Sequence, residues 1–195
     1  GIVDDVTNKS LPLSEESIDP APEGITACKF WGYGSDGTVG ANRSAIEIIG
    51  NNTDLYVQAY FEYDARKSGG LTISHLRFGE TPIRKPYTVN KADFIACHNQ
   101  AYVSKYDLLA GIKKGGKFLL NCTWNEEELE DHLPASLKRA IANNDVEFYT
   151  INAVDIAKEI GLGGRINMIM QAAFFKLTEI IPAEMASKYL KEAVI

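Results

Sequence analysis

The sequence predicts an α/β layered fold with a mixed, mostly parallel sheet. Two observations carry that expectation. From Gly24 onward, short runs rich in β-branched and aromatic residues alternate with longer amphipathic or apolar runs. In addition, the first apolar run, Ile25 to Phe30, passes into a glycine-rich turn and then a helix-like segment.

The strand-like runs are Ala27–Tyr33, Leu55–Tyr63, Leu71–Phe78, Phe94–Cys97, Lys117–Asn121 and Glu147–Ile151. The helix-like runs are Val39–Gly50, Ala101–Leu109, Glu126–Leu133, Ala135–Asn143, Ala153–Ile160, Asn167–Ile180 and Ala183–Ala193. Asn125 is an N-cap residue followed by acidic residues in the first turn, and Gly50 and Gly161 are expected as helix stops. Only a short loop separates Leu55–Tyr63 from Leu71–Phe78, so that pair is antiparallel or mixed. The segment INMIMQAAFFKL (166–177) is apolar on nearly all sides and is expected to be buried or to face a partner.

Composition sets the class. The 195 residues suffice for one good core, and 45% hydrophobic with 24% charged residues is ordinary for a globular protein. A net charge of −6 supplies no global basic field, so neither nucleic acid nor a membrane surface is an expected partner. No run approaches the ~18–20 apolar residues of a membrane span, and a cytoplasmic location is expected. Cys28, Cys97 and Cys122 are an odd number with no close spacing, which reads as reduced thiols and no metal or iron–sulfur site made by this chain alone. Residues 1–23 are polar, acidic and proline-bearing, and read as a linker or arm. A start at Gly1 is expected of a tag scar or of a segment cut from a longer protein.

Trp31 to Asn42 is the most informative run. A strand, a glycine turn and a helix form a backbone anion cradle, because glycine admits close approach and the first helical N–H groups lack acceptors. Gly32, Gly34 and Gly37 spell G-x-G-x-x-G, and Glu62 and Asp64 follow at the distance expected of a dinucleotide site. Against that reading, Asp36 lies inside the turn, and Arg43, Arg66 and Lys67 suit additional phosphate better than a ribose diol. A bare tight turn remains the alternative. His75, His98 and His132 have no metal-ligand spacing and are read as structural, while Asn99, Asn121 and Asn125 sit where they could reach a site at strand ends or cap turns. Arg77 either pins a loop through a carboxylate or contacts another domain. Gly161 to Gly164, before a helix and beside Arg165, is either a second cradle or, as preferred, a turn between packed helices.

GSDGTVGANR (34–43), DARKSGGLTISHLRFG (64–79), ADFIACHNQAYV (92–103), LLNCTW (119–124) and GLGGRINMIMQAAFFKL (161–177) resemble the third, gamma-type domain of the 2-oxoacid:ferredoxin oxidoreductase family, pyruvate-oxidising branch. The resemblance covers residues 24–195 and implies a three-layer α/β/α domain. It further implies a multidomain enzyme converting pyruvate and coenzyme A to acetyl-CoA and carbon dioxide, with electrons passing to ferredoxin or flavodoxin. Thiamine diphosphate, magnesium and [4Fe–4S] clusters are implied for the whole enzyme, a homodimer at full length, and not for this chain. The isolated chain is expected to be inactive. Its implied roles are contact with coenzyme A, through Ser35, Gly37, Thr38, Val39, Arg43, Arg66 and Lys67, and contact with the other domains. An NAD(P)-binding domain and a purely structural assembly module are the alternatives.

Overall fold

A computed structural model describes residues 6–7, 24–65 and 69–192. The linker expected over 1–23 and the cations Arg66 and Lys67 therefore lie almost wholly outside the described residues. The element order is β1 (Ile25–Tyr33), α1 (Thr38–Asn52), β2 (Tyr56–Tyr63), β3 (Leu71–Gly79), β4 (Ala92–Cys97), β5 (Ile112–Asn121), α2 (Glu126–His132), α3 (Ala135–Asn143), β6 (Glu147–Ile151), α4 (Ala153–Glu159), α5 (Asn167–Thr178) and α6 (Ala183–Glu192).

Six strands form one sheet in the order β2-β3-β1-β4-β5-β6. β1, β4, β5 and β6 pair in parallel, whereas β3 runs antiparallel to both β1 and β2. Five strands thus point one way, and their carboxyl ends share one rim. β1 is buried along nearly its whole length because it lies between β3 and β4 with a layer on each face. One face carries Phe30, Phe78, Phe94 and Leu119 under α1, α5 and α6, with Ile49, Met170, Phe174 and Phe175 as the plug. The other face carries Trp31, Ile95, Phe118 and Leu120 under the 98–111 segment, α2 and α3. This is the three-layer α/β/α arrangement.

Three local expectations meet the structure differently. The helix expected over Ala101–Leu109 is one 3-10 turn, Gln100–Tyr102, followed by successive tight turns. Tyr102, Val103, Leu108 and Leu109 are buried at near-helical spacing, yet aromatic, β-branched, Ser104 and Asp107 residues are weak helix formers and turns bury the same side chains. Gly50 does not end α1, which continues to Asn52. A Cβ at Gly50 would lie 3.0 Å from Val57 Cγ2, so the glycine permits close approach to β2. Arg77 does pin a loop, but through carbonyls: it donates to Gln58 Oε1 and to the carbonyls of Pro86, Tyr87 and Thr88 at 2.7–3.1 Å.

Other signals were read as they fold. Asn125 Oδ1 accepts from Glu128 N–H while Glu128 Oε2 accepts from Asn125 N–H, both at 2.9 Å, a reciprocal capping box. Gly161, at φ 77°, ends α4: its N–H donates to the Lys158 carbonyl and that of Leu162 to the Ala157 carbonyl. No helix among the described residues is long and apolar enough to cross a membrane.

Candidate functional site

The candidate site lies at the carboxyl rim of β1, where α1 departs toward one face and the 98–111 segment toward the other. Such a divergence opens a crevice in α/β sheets. Two left-handed residues make the turn, Ser35 at φ 78° and Gly37 at φ 84°. Asp36 orders it: Oδ2 accepts from Tyr33 N–H at 2.9 Å and Oδ1 from Thr38 N–H at 2.8 Å. The carboxylate thus turns inward and takes the first helical donor for the protein itself, which accounts for an acidic residue in an anion cradle. Val39 and Gly40, next along α1, have no acceptor for their N–H groups among the described residues. Ser35 and Gly37 are exposed beside them.

Thr38 faces inward. It is buried, and its hydroxyl sits 2.9 Å from His98 Nδ1. Asn121 clamps the same corner, donating to the His98 carbonyl at 3.0 Å and accepting from Ala153 N–H at 3.0 Å. Asn167, the first residue of α5, lies over the turn: a Cβ on Gly37 would be 3.0 Å from its Nδ2. Gly32 is glycine for a related reason, since a Cβ there would meet Thr38 Oγ1 at 2.6 Å and Asp36 Oδ2 at 2.9 Å.

The second loop is tied to the first. Gly34 N–H donates to the Gly70 carbonyl at 2.7 Å, and Gly69 N–H to the Gly34 carbonyl at 3.2 Å. Gly69 and Gly70, which follow Arg66 and Lys67 in the chain, are therefore tied to the glycine turn. Arg43 is exposed on α1, its guanidinium 5.9 Å from the Phe61 ring centroid. The structure thus places Ser35, Gly37 and Val39 at one helix start and turns Thr38 into the frame that holds it, whereas Arg43 lies further along α1 over Phe61 of β2. Asn167 and the Thr38–His98 contact had no sequence signal, because their partners are far apart in the chain.

The dinucleotide geometry is weakened by topology. β3 is inserted between β1 and β2, so Glu62 and Asp64 end a strand two positions from β1, about 10 Å across the sheet rather than next to it.

Burial dominates the electrostatics of the frame. His98 is 5% exposed, and burial lowers its pKa to about 4 despite the opposing pull of Asp36. Its folded pKa lies below the unfolded ~6.5, so its contribution to stability is present above that value and is lost as pH falls from about 6.5 toward about 4. The expected loss is about 1.4 kcal/mol per pH unit inside that window. Urea unfolding at pH 7 and pH 5 checks it: the decline should be shallower in His98→Gln, and an equal decline would remove His98 as a cause.

Residues 27–194 match the family model described as pyruvate ferredoxin/flavodoxin oxidoreductase. The chain belongs to that family. It is 64% identical over 194 residues to a pyruvate-flavodoxin oxidoreductase of Enterobacter agglomerans, and 58% identical over 195 residues to a pyruvate:ferredoxin oxidoreductase of Moorella thermoacetica. All of the chain is covered in both comparisons, yet it spans only 16% and 17% of those relatives' lengths. Among solved structures, a pyruvate oxidoreductase subunit of Thermotoga maritima superposes with a TM-score of 0.70 at 20% identity, covering 88% of this chain and 86% of that one. A keto/oxoacid ferredoxin oxidoreductase gamma subunit of Geobacter sulfurreducens gives 0.62 at 22%, covering 86% and 83%. A 2-oxoglutarate:ferredoxin oxidoreductase of Magnetococcus marinus, solved with 2-oxoglutarate, coenzyme A and succinyl-CoA bound, gives 0.64 at 19%, covering 88% of this chain and 27% of that one. These likenesses establish the gamma-type fold of this family domain.

Proposed function

We propose that this chain is a domain, spanning residues 24–195, of a longer cytoplasmic pyruvate:ferredoxin (flavodoxin) oxidoreductase, in which it contacts coenzyme A and docks against the other domains. The whole enzyme would convert pyruvate and coenzyme A to acetyl-CoA and carbon dioxide and deliver electrons to ferredoxin or flavodoxin. Thiamine diphosphate, magnesium and iron–sulfur clusters would be held by the rest of the polypeptide.

The observation that carries the coenzyme A role is the start of α1. Among the described residues the N–H groups of Val39 and Gly40 have no acceptor, and they stand at an exposed glycine turn on the sheet's carboxyl rim. The loop carrying Arg66 and Lys67 is bonded to that turn at Gly34. Backbone donors and a helix start suit a phosphate, and flanking cations suit a ligand with several. Arg66→Ala/Lys67→Ala is expected to weaken coenzyme A binding by about tenfold at low salt and to flatten its salt dependence, since an exposed ion contact is worth about 0.2–1 kcal/mol and is screened by salt. Calorimetry in 20 mM against 300 mM salt reads this directly. Unchanged affinity in the double variant would remove these cations from the site.

Domain docking rests on a separate observation. Ile160, Leu162, Met168, Ile169, Ala172 and Leu190 line an open groove of about 540 Å³, and Ile160 is 61% exposed. An apolar strip of that kind on α4, α5 and α6 marks an interaction surface. In the longer polypeptide, Ile160→Asp/Leu162→Asp is expected to raise the rate of limited proteolysis between domains while leaving this domain's thermal midpoint unchanged. No change in cleavage would free the groove from that role.

A further inference from the structure

The chain enters the sheet beside an exposed aromatic edge. Ile25 of β1 pairs with Gly79 of β3, and Gly79 pairs with Tyr56 of β2, so the three residues share one end of the sheet. Gly24 packs there too: a Cβ on Gly79 would lie 2.5 Å from its carbonyl oxygen. β1 and β2 are separated by β3, two strand spacings or about 10 Å. The polypeptide before Gly24 therefore departs close to Tyr56. β2 is an edge strand without the usual protection. Its sequence YVQAYFEY has one charge, Glu62, and no proline, lysine or bulge. Its outward backbone groups have no partner among the described residues.

Tyr56, Tyr60 and Tyr87 stand on one face of this edge at 49%, 38% and 62% exposure. Tyr87 belongs to the 80–91 segment, which is fixed on the sheet by the Arg77 contacts and by Val89 N–H donating to His75 Nδ1 at 3.0 Å. The Tyr87 ring stacks on Tyr60 with centroids 5.4 Å apart, and Tyr60 lies 6.2 Å from the His75 ring. These rings are braced from beneath and open above, as in an aromatic docking surface. Arg84 and Lys85 adjoin them and form no ion pair among the described residues. Over 80–91, Arg84, Lys85 and Lys91 outnumber Glu80.

The sequence before Gly24 has the complementary chemistry. Residues 10–23, SLPLSEESIDPAPE, carry Glu15, Glu16, Asp19 and Glu23 and neither lysine nor arginine. Pro20 and Pro22 bias Asp19 and Ala21 toward extended backbone, and extended proline-bearing segments dock on aromatic surfaces at low ordering cost. At ~3.3 Å per residue, residues 17–23 reach about 23 Å. That passes Tyr56 and arrives at Tyr60, about 13 Å further along β2. We infer that residues 17–23 dock across Tyr56, Tyr60 and Tyr87 of their own chain, with Arg84 and Lys85 drawing in the carboxylates. In a longer polypeptide this contact sets the direction from which the preceding part joins the domain. It is independent of the coenzyme A reading and of the apolar groove.

The test attaches a nitroxide at Ser17→Cys in the whole chain and reads amide signal intensities in isotope-enriched protein. Cys28, Cys97 and Cys122 are buried, so the label goes to the new thiol. The amides of Tyr56, Tyr60 and Tyr87 are expected to lose most of their intensity, while Ile160 and Leu162, which follow α4 beyond β6, keep theirs. Tyr60→Ala/Tyr87→Ala should restore the Tyr56 amide; both side chains are solvent-accessible, and circular dichroism verifies folding. Should that variant fail to fold, Pro20→Gly/Pro22→Gly carries the test with the same recovery expected. Full intensity at the three tyrosines, equal losses at Ile160 and Leu162, or a loss that the folded variant leaves unchanged overturns the inference. So does a loss carried between molecules, read by mixing labelled, unenriched chain with enriched, unlabelled chain, which would assign the tyrosine face to a second copy.

Discussion

Phe174→Ala is expected to lower the stability of the domain by about 3–5 kcal/mol, the cost of emptying an aromatic site in a packed core. Phe174 is 1% exposed on α5 and is the centre of an aromatic group. Its ring centroid lies 5.2 Å from Phe30, 5.4 Å from Phe94, 5.2 Å from Phe175 and 6.4 Å from Phe78. Phe30, Phe78 and Phe94 belong to the three central strands, so one side chain fixes α5 onto the middle of the sheet. The neighbours come from four elements and cannot collapse into the space together. Against a total stability of about 5–15 kcal/mol, the change should move the urea midpoint far and disturb Asn167 at the start of the same helix. A loss below about 1 kcal/mol would mean that α5 is not seated on these strands as described.

Gly32→Ala is expected to cost about 1–3 kcal/mol, the range for inserting a methyl group into a filled site, and to abolish coenzyme A contact at the turn. The added Cβ would meet Thr38 Oγ1, Thr38 Cβ and Asp36 Oδ2 at 2.6, 2.7 and 2.9 Å. Neither side chain is free to retreat. Thr38 is bonded to His98, and the Asp36 carboxylate accepts from two N–H groups. The strain would therefore pass to the start of α1 and displace Val39 and Gly40. Gly164→Ala is the control, because a Cβ there meets nothing within 4 Å. Equal behaviour of the two variants in unfolding and binding would remove the packed turn as the element that shapes the site.

Much of this architecture is written locally. The run Ile25–Phe30 is mostly apolar, with Thr26 and Lys29 as its polar members, and becomes a strand buried on both faces. Asn125 with Glu128, and Gly161 after α4, state their helix boundaries through side-chain and backbone chemistry that acts within a few residues. The hairpin of β2 and β3 follows from its short loop. Its insertion beside β1 does not, because strand order depends on contacts between segments some 40 residues apart. The 101–109 segment shows the converse limit: apolar spacing specifies which residues are buried, and successive turns satisfy that spacing as well as a helix does.

The glycine turn was legible as a run of residues, and the contacts that frame it were not. The glycines, Ser35 and Val39 share the turn and the helix start because they are neighbours in sequence, while Arg43 reaches Phe61 of β2 instead. Thr38 belongs to the supporting frame through His98, sixty residues later, and no local pattern announces such a pair. Asp36 was readable from its chemistry: a carboxylate in a cradle is tolerable when it bonds the backbone itself, and it does.

The most direct test of the central claim is a calorimetric titration of this chain, at low salt, with coenzyme A and with dephospho-coenzyme A. If the glycine turn and its adjoining cationic loop hold phosphate, coenzyme A binds measurably and loss of the 3′-phosphate weakens it by about tenfold, one charge-assisted contact. Indistinguishable affinities for the two ligands, or no heat from either with the chain folded, would contradict a phosphate site on this domain and leave the apolar groove of α4, α5 and α6 as its working surface.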